Sequence, residues 1–170
     1  ADSHFQWKYV GDLPASTAYG VTISVANKLI FIGGMNENGS LSSVYGVTLN
    51  KNQQVVIENL PSLPYAMDNM AGALIVKTIY VAGGKVNGKP SCKMYCLNLD
   101  NLKMGWQTVS SFPGNPRVQP VVAAVSDELY LWGGFSGTFD GQKPTLSTDG
   151  YKFSPKTNQW TKLASPLSKQ

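Results

Sequence analysis

Few residues in this chain have side chains that could do covalent or metal chemistry. Among its 170 residues are one histidine, His4, one arginine, Arg117, and two cysteines, Cys92 and Cys96. A serine or cysteine nucleophile needs a base within reach, and His4, on a strand-like stretch with Phe5 and Trp7, reads as a structural or surface residue instead. The sequence contains no Gly-x-Ser-x-Gly and no phosphate loop. Cys92 and Cys96 lie four apart on one expected strand, about 13 Å from each other at ~3.3 Å per residue. They cannot bridge there, and two cysteines with one histidine make no metal set, so both are expected as small buried side chains. What remains is charge and hydrogen bonding. Arginine can hold a carboxylate through two parallel N–H groups, and amides can read hydroxyls.

Those polar groups need elements to hold them, and the elements repeat. Leu29-Ile-Phe-Ile-Gly-Gly34, Ile79-Tyr-Val-Ala-Gly-Gly84 and Leu129-Tyr-Leu-Trp-Gly-Gly134 follow one another at intervals of 50 residues. Each is an apolar strand stopped by two glycines, the residue that permits a tight bend or a close backbone approach. Tyr45 and Tyr95 follow the glycines at one spacing, and Tyr151 follows later, after an insertion rich in Gly, Ser, Thr and Asp. Trp106 and Trp160 open the next strand, where the first unit has Val56, and loops with Pro61, Pro64, Pro113, Pro116 and Pro166 come after. Turn signals at Ala26-Asn27, Asn38-Gly39, Asn87-Gly88, Ser126-Asp127 and Asp140-Gly141 separate the strands. Twelve strands are expected in three groups of four. They are Tyr19–Val25, Leu29–Ile32, Val44–Leu49 and Val55–Asn59; Ala71–Val76, Thr78–Val81, Lys93–Leu99 and Trp106–Val109; and Val121–Val125, Glu128–Trp132, Asp149–Phe153 and Gln159–Lys162. His4 to Val10 reads as a further strand anchored by Trp7.

Hydrophobic residues make up 42% of the chain and charged residues 14%, suited to many short strands joined by turns. The net charge of +4 comes mostly from scattered lysines. That pattern is a solvated basic surface; nucleic acid would need an Arg-rich stripe or stacked aromatics, and neither is present. A mildly positive field does suit an anionic small molecule. No stretch approaches transmembrane length.

The Gly-Gly, Tyr, Trp signature with a period near 50 resembles the kelch motif over nearly the whole chain. The implied fold is all-β, a kelch-type β-propeller. Residues 1–13 would be an outer strand of a preceding blade, 14–63 blade one, 64–113 blade two and 114–170 blade three. Each blade has its own fourth strand, so the N-terminal strand is surplus. Propellers have at least four blades, so the expectation is about half of a ring, completed by a missing C-terminal part or a partner chain. The kelch pattern places Met35, Asn36, Lys85, Asn87, Phe135 and Ser136 after the glycines, on the axial pocket. On the neighbouring loops it places Thr17 and Tyr19, Asp68 and Asn69, Arg117 and Gln119. The pocket-lining candidates drawn from these are Tyr19, Asn36, Asn69, Lys85, Arg117, Gln119 and Ser136. Arg117 stands first among them as a ligand contact, unless it is the structural arginine that packs on a blade's aromatic anchor. A copper radical centre, carried by some kelch-like oxidases, would need histidines that the sequence lacks.

Three stretches go further. Ser16 to Gly34 with Val44-Tyr-Gly-Val-Thr-Leu49, Ser111-Phe-Pro-Gly-Asn-Pro-Arg-Val-Gln119 with Glu128 to Gly134, and Tyr151 to Trp160 resemble the bacterial N-acetylneuraminate epimerases, the sialic acid mutarotases. Their order resembles the cyclically permuted branch of that family. The resemblance implies a six-bladed, periplasmic or secreted bacterial isomerase that interconverts sialic acid anomers by general acid/base ring opening, with no cofactor, no nucleic acid and no membrane partner. The family's Glu and Arg of the Gly-Glu…Gly-x-Arg segment have no match here, so the acid/base pair is expected outside these residues. Thr17 stands where the family tends to have arginine. The alternative function is a non-catalytic kelch module that binds a protein or glycan through the same face.

Overall fold

A computed structural model describes residues 4–136 and 143–164. The expected Asp140-Gly141 turn and Pro166 lie outside them. Within them the chain folds as three antiparallel blade sheets with one topology and two two-stranded sheets, Met35–Asn36 with Gly39–Ser40 and Phe135–Ser136 with Thr145–Leu146. Blade one is Val21–Val25, Lys28–Ile32, Val44–Leu49 and Val55–Leu60, each strand paired to the next in sequence. Blade two is Met67–Ile75, Thr78–Val86, Met94–Asn98 and Gln107–Val109. Blade three is Val121–Val125, Glu128–Trp132, Gly150–Ser154 and Gln159–Lys162.

Strand alternation explains where the core sits. Val21, Ile23, Ile30, Ile32 and Val44 of blade one bury one face against Met70, Ile79, Val81 and Tyr95 of blade two. The other face of blade two, with Ala73, Ile75, Tyr80 and Met94, meets Leu129, Leu131, Tyr151 and Phe153 of blade three. Each core therefore lies between blades, and the first strands of neighbouring blades touch. Those first strands are the innermost, and they define an axis.

Two latches repeat at the outer side. Trp106 donates its Nε1–H to the Pro61 carbonyl at 2.8 Å, and Trp160 donates to the Ser110 carbonyl at 2.8 Å. Each anchor thus ties its own blade to the one before. Trp7, the corresponding anchor in the sequence, is fully exposed (100%), and Phe5, on the same stretch, is 95% exposed. Residues 4–10 form no ladder with any described residue. Phe5, Trp7 and Tyr9 are exposed, and Val10 lies beside Leu29, Val47 and Val55 of blade one.

Two further expectations are corrected. Cys92 precedes the Met94–Asn98 strand, so only Cys96 lies on it; both cysteines are half-buried and unbridged. The first two strands of blade two run on to Met67 and Val86, because their ladder resumes beyond a kink at Asn69 and Gly84.

Candidate functional site

The kink recurs in all three blades and explains the glycine pairs. Ala18 bridges Met35, Asp68 pairs with Lys85 and Val118 bridges Phe135, each one step beyond the main ladder. At the step, one strand carries Tyr19, Asn69 or Gln119 and the other Gly34, Gly84 or Gly134. A Cβ on the second glycine of each pair would lie 2.5–2.6 Å from the carbonyl oxygen of Ala18, Asp68 or Val118 on the facing strand. The first glycine answers to the next blade. A Cβ on Gly33 would meet the Met67 carbonyl oxygen at 2.7 Å, and one on Gly83 the Arg117 carbonyl oxygen at 2.9 Å. Those carbonyls accept hydrogen bonds from the N–H groups of Gly34 and Gly84, at 2.8 and 2.9 Å. The pair is thus one glycine for the strand opposite and one for the blade beside.

Tyr19, Asn69 and Gln119 stand 50 residues apart and share left-handed φ values of 56°, 56° and 50°. The Asn69 N–H donates to the Tyr19 carbonyl and the Gln119 N–H to the Asn69 carbonyl, both at 2.8 Å. The Gln119 Nε2–H donates to Asn69 Oδ1 at 2.8 Å. These bonds form an arc that passes from blade to blade at the mouth of the axis. Ala26, Val76 and Ser126 are also left-handed, but they occupy the tips of the hairpins at the far end of the inner strands, where the tight turn requires it. At the mouth Tyr19 is 59% exposed, and a cleft of about 210 Å³ runs beside it along Thr17 and Phe31.

The other expected site residues divide. Lys85 stands at this mouth, paired with Asp68 across the ladder, its ammonium 3.4 Å from the Asp68 carboxylate. Asn36 and Ser136 serve their own hairpins: Asn36 Oδ1 accepts the Asn38 N–H at 2.9 Å, and Ser136 Oγ donates to the Thr145 carbonyl at 3.5 Å. Thr17 Oγ1 donates to the Gly33 carbonyl at 3.3 Å.

Of the two roles open to Arg117, the structure shows a structural one. Its side chain is 1% exposed and makes a two-point contact with Asp149, Nη1 to Oδ1 at 2.8 Å and Nη2 to Oδ2 at 3.0 Å. Further N–H groups donate to the carbonyls of Asn115 and Gly133, and the guanidinium lies against the rings of Phe112 and Tyr151. Tyr151 donates its hydroxyl to Asp149 at 2.6 Å. Arginine here braces blade three and is not offered to a ligand. In blades one and two the matching tyrosines, Tyr45 and Tyr95, have no such carboxylate, and their buried hydroxyls lack a hydrogen-bond partner among the described residues.

The brace has a pH signature. The Arg117 hydrogen bonds hold the Asp149 carboxyl at about 2, below its ordinary 3.8, against the opposing pull of burial. A folded pKa below the unfolded one means that the folded state binds fewer protons, so the stabilisation is complete above pH 3.8 and fades as pH falls toward 2. The shift amounts to roughly 2 kcal/mol. Equilibrium unfolding between pH 5 and pH 2 should show this loss, and Asp149→Asn should remove that part of the pH dependence.

Comparison with known proteins adds family to geometry. Residues 60–168 match the model of a family described as N-acetylneuraminate epimerase. The chain is 43% identical to the N-acetylneuraminate epimerase of Pasteurella multocida over 104 residues, which cover 61% of this chain and 26% of that protein. It is 37% identical to the enzyme of the same name from Haemophilus influenzae over 106 residues, 62% of this chain and 27% of that one. The aligned part thus spans about a quarter of these relatives' length. A solved structure titled "Structure of YjhT" superimposes with a TM-score of 0.75 at 16% identity, covering 93% of this chain and 54% of that one.

Proposed function

Because this chain belongs to the N-acetylneuraminate epimerase family, we propose that it forms part of a sialic acid mutarotase. The observation that carries the reading is the family match across residues 60–168, which takes in Asp68, Asn69, Lys85 and Gln119. The ring opens when a base removes the proton of the anomeric hydroxyl as an acid protonates the ring oxygen. The new carbonyl then rotates and the ring recloses from the other face. No atom is gained or lost and no electron is transferred, so the step calls for no cofactor. The acid and the base come from outside these 170 residues, and the residues at the axial mouth form pocket wall. Lys85 holds the sugar carboxylate in place of Arg117, whose guanidinium is spent on Asp149, and the amides of Asn69 and Gln119 meet hydroxyls.

The finer features of this reading are a six-bladed ring, a cyclically permuted blade order, and a periplasmic or secreted setting in a bacterium. The blade order draws support from the order of the motifs along the chain, and the ring size and setting rest on the family resemblance alone. The remaining blades, from the same protein or a partner chain, cover the open sides of blades one and three.

The test is anomer exchange of N-acetylneuraminic acid by NMR with the intact protein. Added protein should speed exchange between the two anomers at catalytic concentration. Lys85→Met should raise KM for the acid by ten-fold or more while leaving any exchange of the sugar's methyl ester near the wild-type rate. Binding without exchange would instead support a glycan-binding module, and neither would remove sialic acid from consideration.

A further inference from the structure

Among the described residues only two charged side chains are buried, Arg117 and Asp68. The first is accounted for by Asp149. Asp68 is 2% exposed, so solvent and ligand cannot reach it, yet two of the groups that the structure places on its carboxylate, Asn69 and Lys85, belong to the axial mouth. Ser40, in the short strand Gly39–Ser40 of the hairpin after the glycines of blade one, donates its hydroxyl to Oδ2. Asn69 donates its Nδ2–H to Oδ1, and the Lys85 ammonium lies 3.4 Å from the same oxygen. Asn69 in turn accepts the Gln119 amide, so the chain of bonds reaches blade three. An amide that must give its N–H to a carboxylate has its oxygen fixed in the opposite direction. The one carboxylate therefore sets which way Asn69 and Gln119 point and where the ammonium of Lys85 rests.

We propose that Asp68 is a positioning residue: from beneath the mouth it holds Lys85, Asn69 and, through Asn69, Gln119 in the arrangement that grips a hydroxylated anionic sugar. The inference rests on the proposed mutarotase reading for its ligand. Its geometry makes an unusual demand. Oδ1 accepts from Asn69 and lies 3.4 Å from the Lys85 ammonium, while among the described residues Oδ2 meets a hydroxyl, which can accept as readily as donate. Asparagine fits that pattern with its oxygen in the Oδ1 place and its NH2 toward Ser40, and alanine does not.

The experiment measures kcat and KM for anomer exchange of N-acetylneuraminic acid by the intact protein and three variants, with melting temperature recorded for each. Asp68→Ala should raise KM at least ten-fold with a smaller change in kcat. Asp68→Asn should stay within about three-fold of wild type in KM. Asn69→Gly, which removes a half-buried side chain at a residue whose left-handed φ of 56° suits glycine, should reproduce part of the KM rise even if Asp68→Ala does not fold. A purely structural carboxylate would lower the melting temperature in both Asp68 variants and leave KM alone, and that pattern overturns the proposal. So does an Asp68→Asn variant as impaired in KM as Asp68→Ala, since geometry would then not be what the residue supplies. Exchange by the wild-type protein is read first and separately: its absence overturns the mutarotase reading and with it the ligand assigned to this cluster, whatever the variants do.

Discussion

Arg117→Ala is expected to cost the protein about 3 kcal/mol or more in folding stability, by denaturant titration of the intact protein, and to leave KM for a sugar ligand within a few-fold of wild type. The guanidinium is 1% exposed and makes four hydrogen bonds, two to Asp149 and one each to the carbonyls of Asn115 and Gly133. Removing one member of a buried pair leaves the other desolvated without its counter-charge, which costs roughly 3–5 kcal/mol. Asp149 is partly open to water, which places the expected value at the low end of that range. Arg117→Lys should recover little, because one ammonium cannot span both carboxylate oxygens and also reach the carbonyls of Asn115 and Gly133. A large rise in KM with stability intact would return Arg117 to the pocket.

The same residue shows what could be read from the sequence and what could not. Strand positions were legible because alternation and turn residues act locally: the first strand of blade three runs over Val121–Val125 and its partner over Glu128–Trp132, as the pattern requires. The mouth positions of Tyr19, Asn69 and Gln119 were legible because they repeat with the glycines. Arg117 also sits in that loop, but its partner Asp149 lies 32 residues away, beyond the insertion, so pattern alone left its two roles open. Asp68 is a second case. Its burial depends on Ser40 of the preceding blade, and a contact between blades has no trace in the spacing within one. The exposure of Phe5 and Trp7 follows the same rule, since an apolar pattern shows what a strand would cover and not whether the cover is there.

Gly84→Ala is expected to be strongly damaging, and Gly88→Ala shows why. Both glycines have left-handed φ, 81° for Gly84 and 74° for Gly88, so both alanines incur about 1–2 kcal/mol of backbone strain. At Gly88, the tip of a hairpin, an added Cβ meets nothing within 4 Å. At Gly84 it would lie 2.5 Å from the Asp68 carbonyl oxygen, 2.7 Å from Met70 Cγ and 2.9 Å from the Met70 nitrogen. Two of those three atoms are backbone in the facing strand and cannot swing aside, so the ladder must part where Asp68 pairs with Lys85. Gly88→Ala should therefore lose only the strain, whereas Gly84→Ala should lose several kcal/mol more, measured side by side in denaturant. The second effect separates this from an ordinary packing defect. A parted ladder moves the Asp68 carboxylate from Lys85, so any Gly84→Ala protein that still folds should also show the raised KM of Asp68→Ala, and Gly88→Ala should not. Equal losses at the two glycines would mean that φ alone, and not the close approach of two strands at the axial mouth, dictates the second glycine of the repeat.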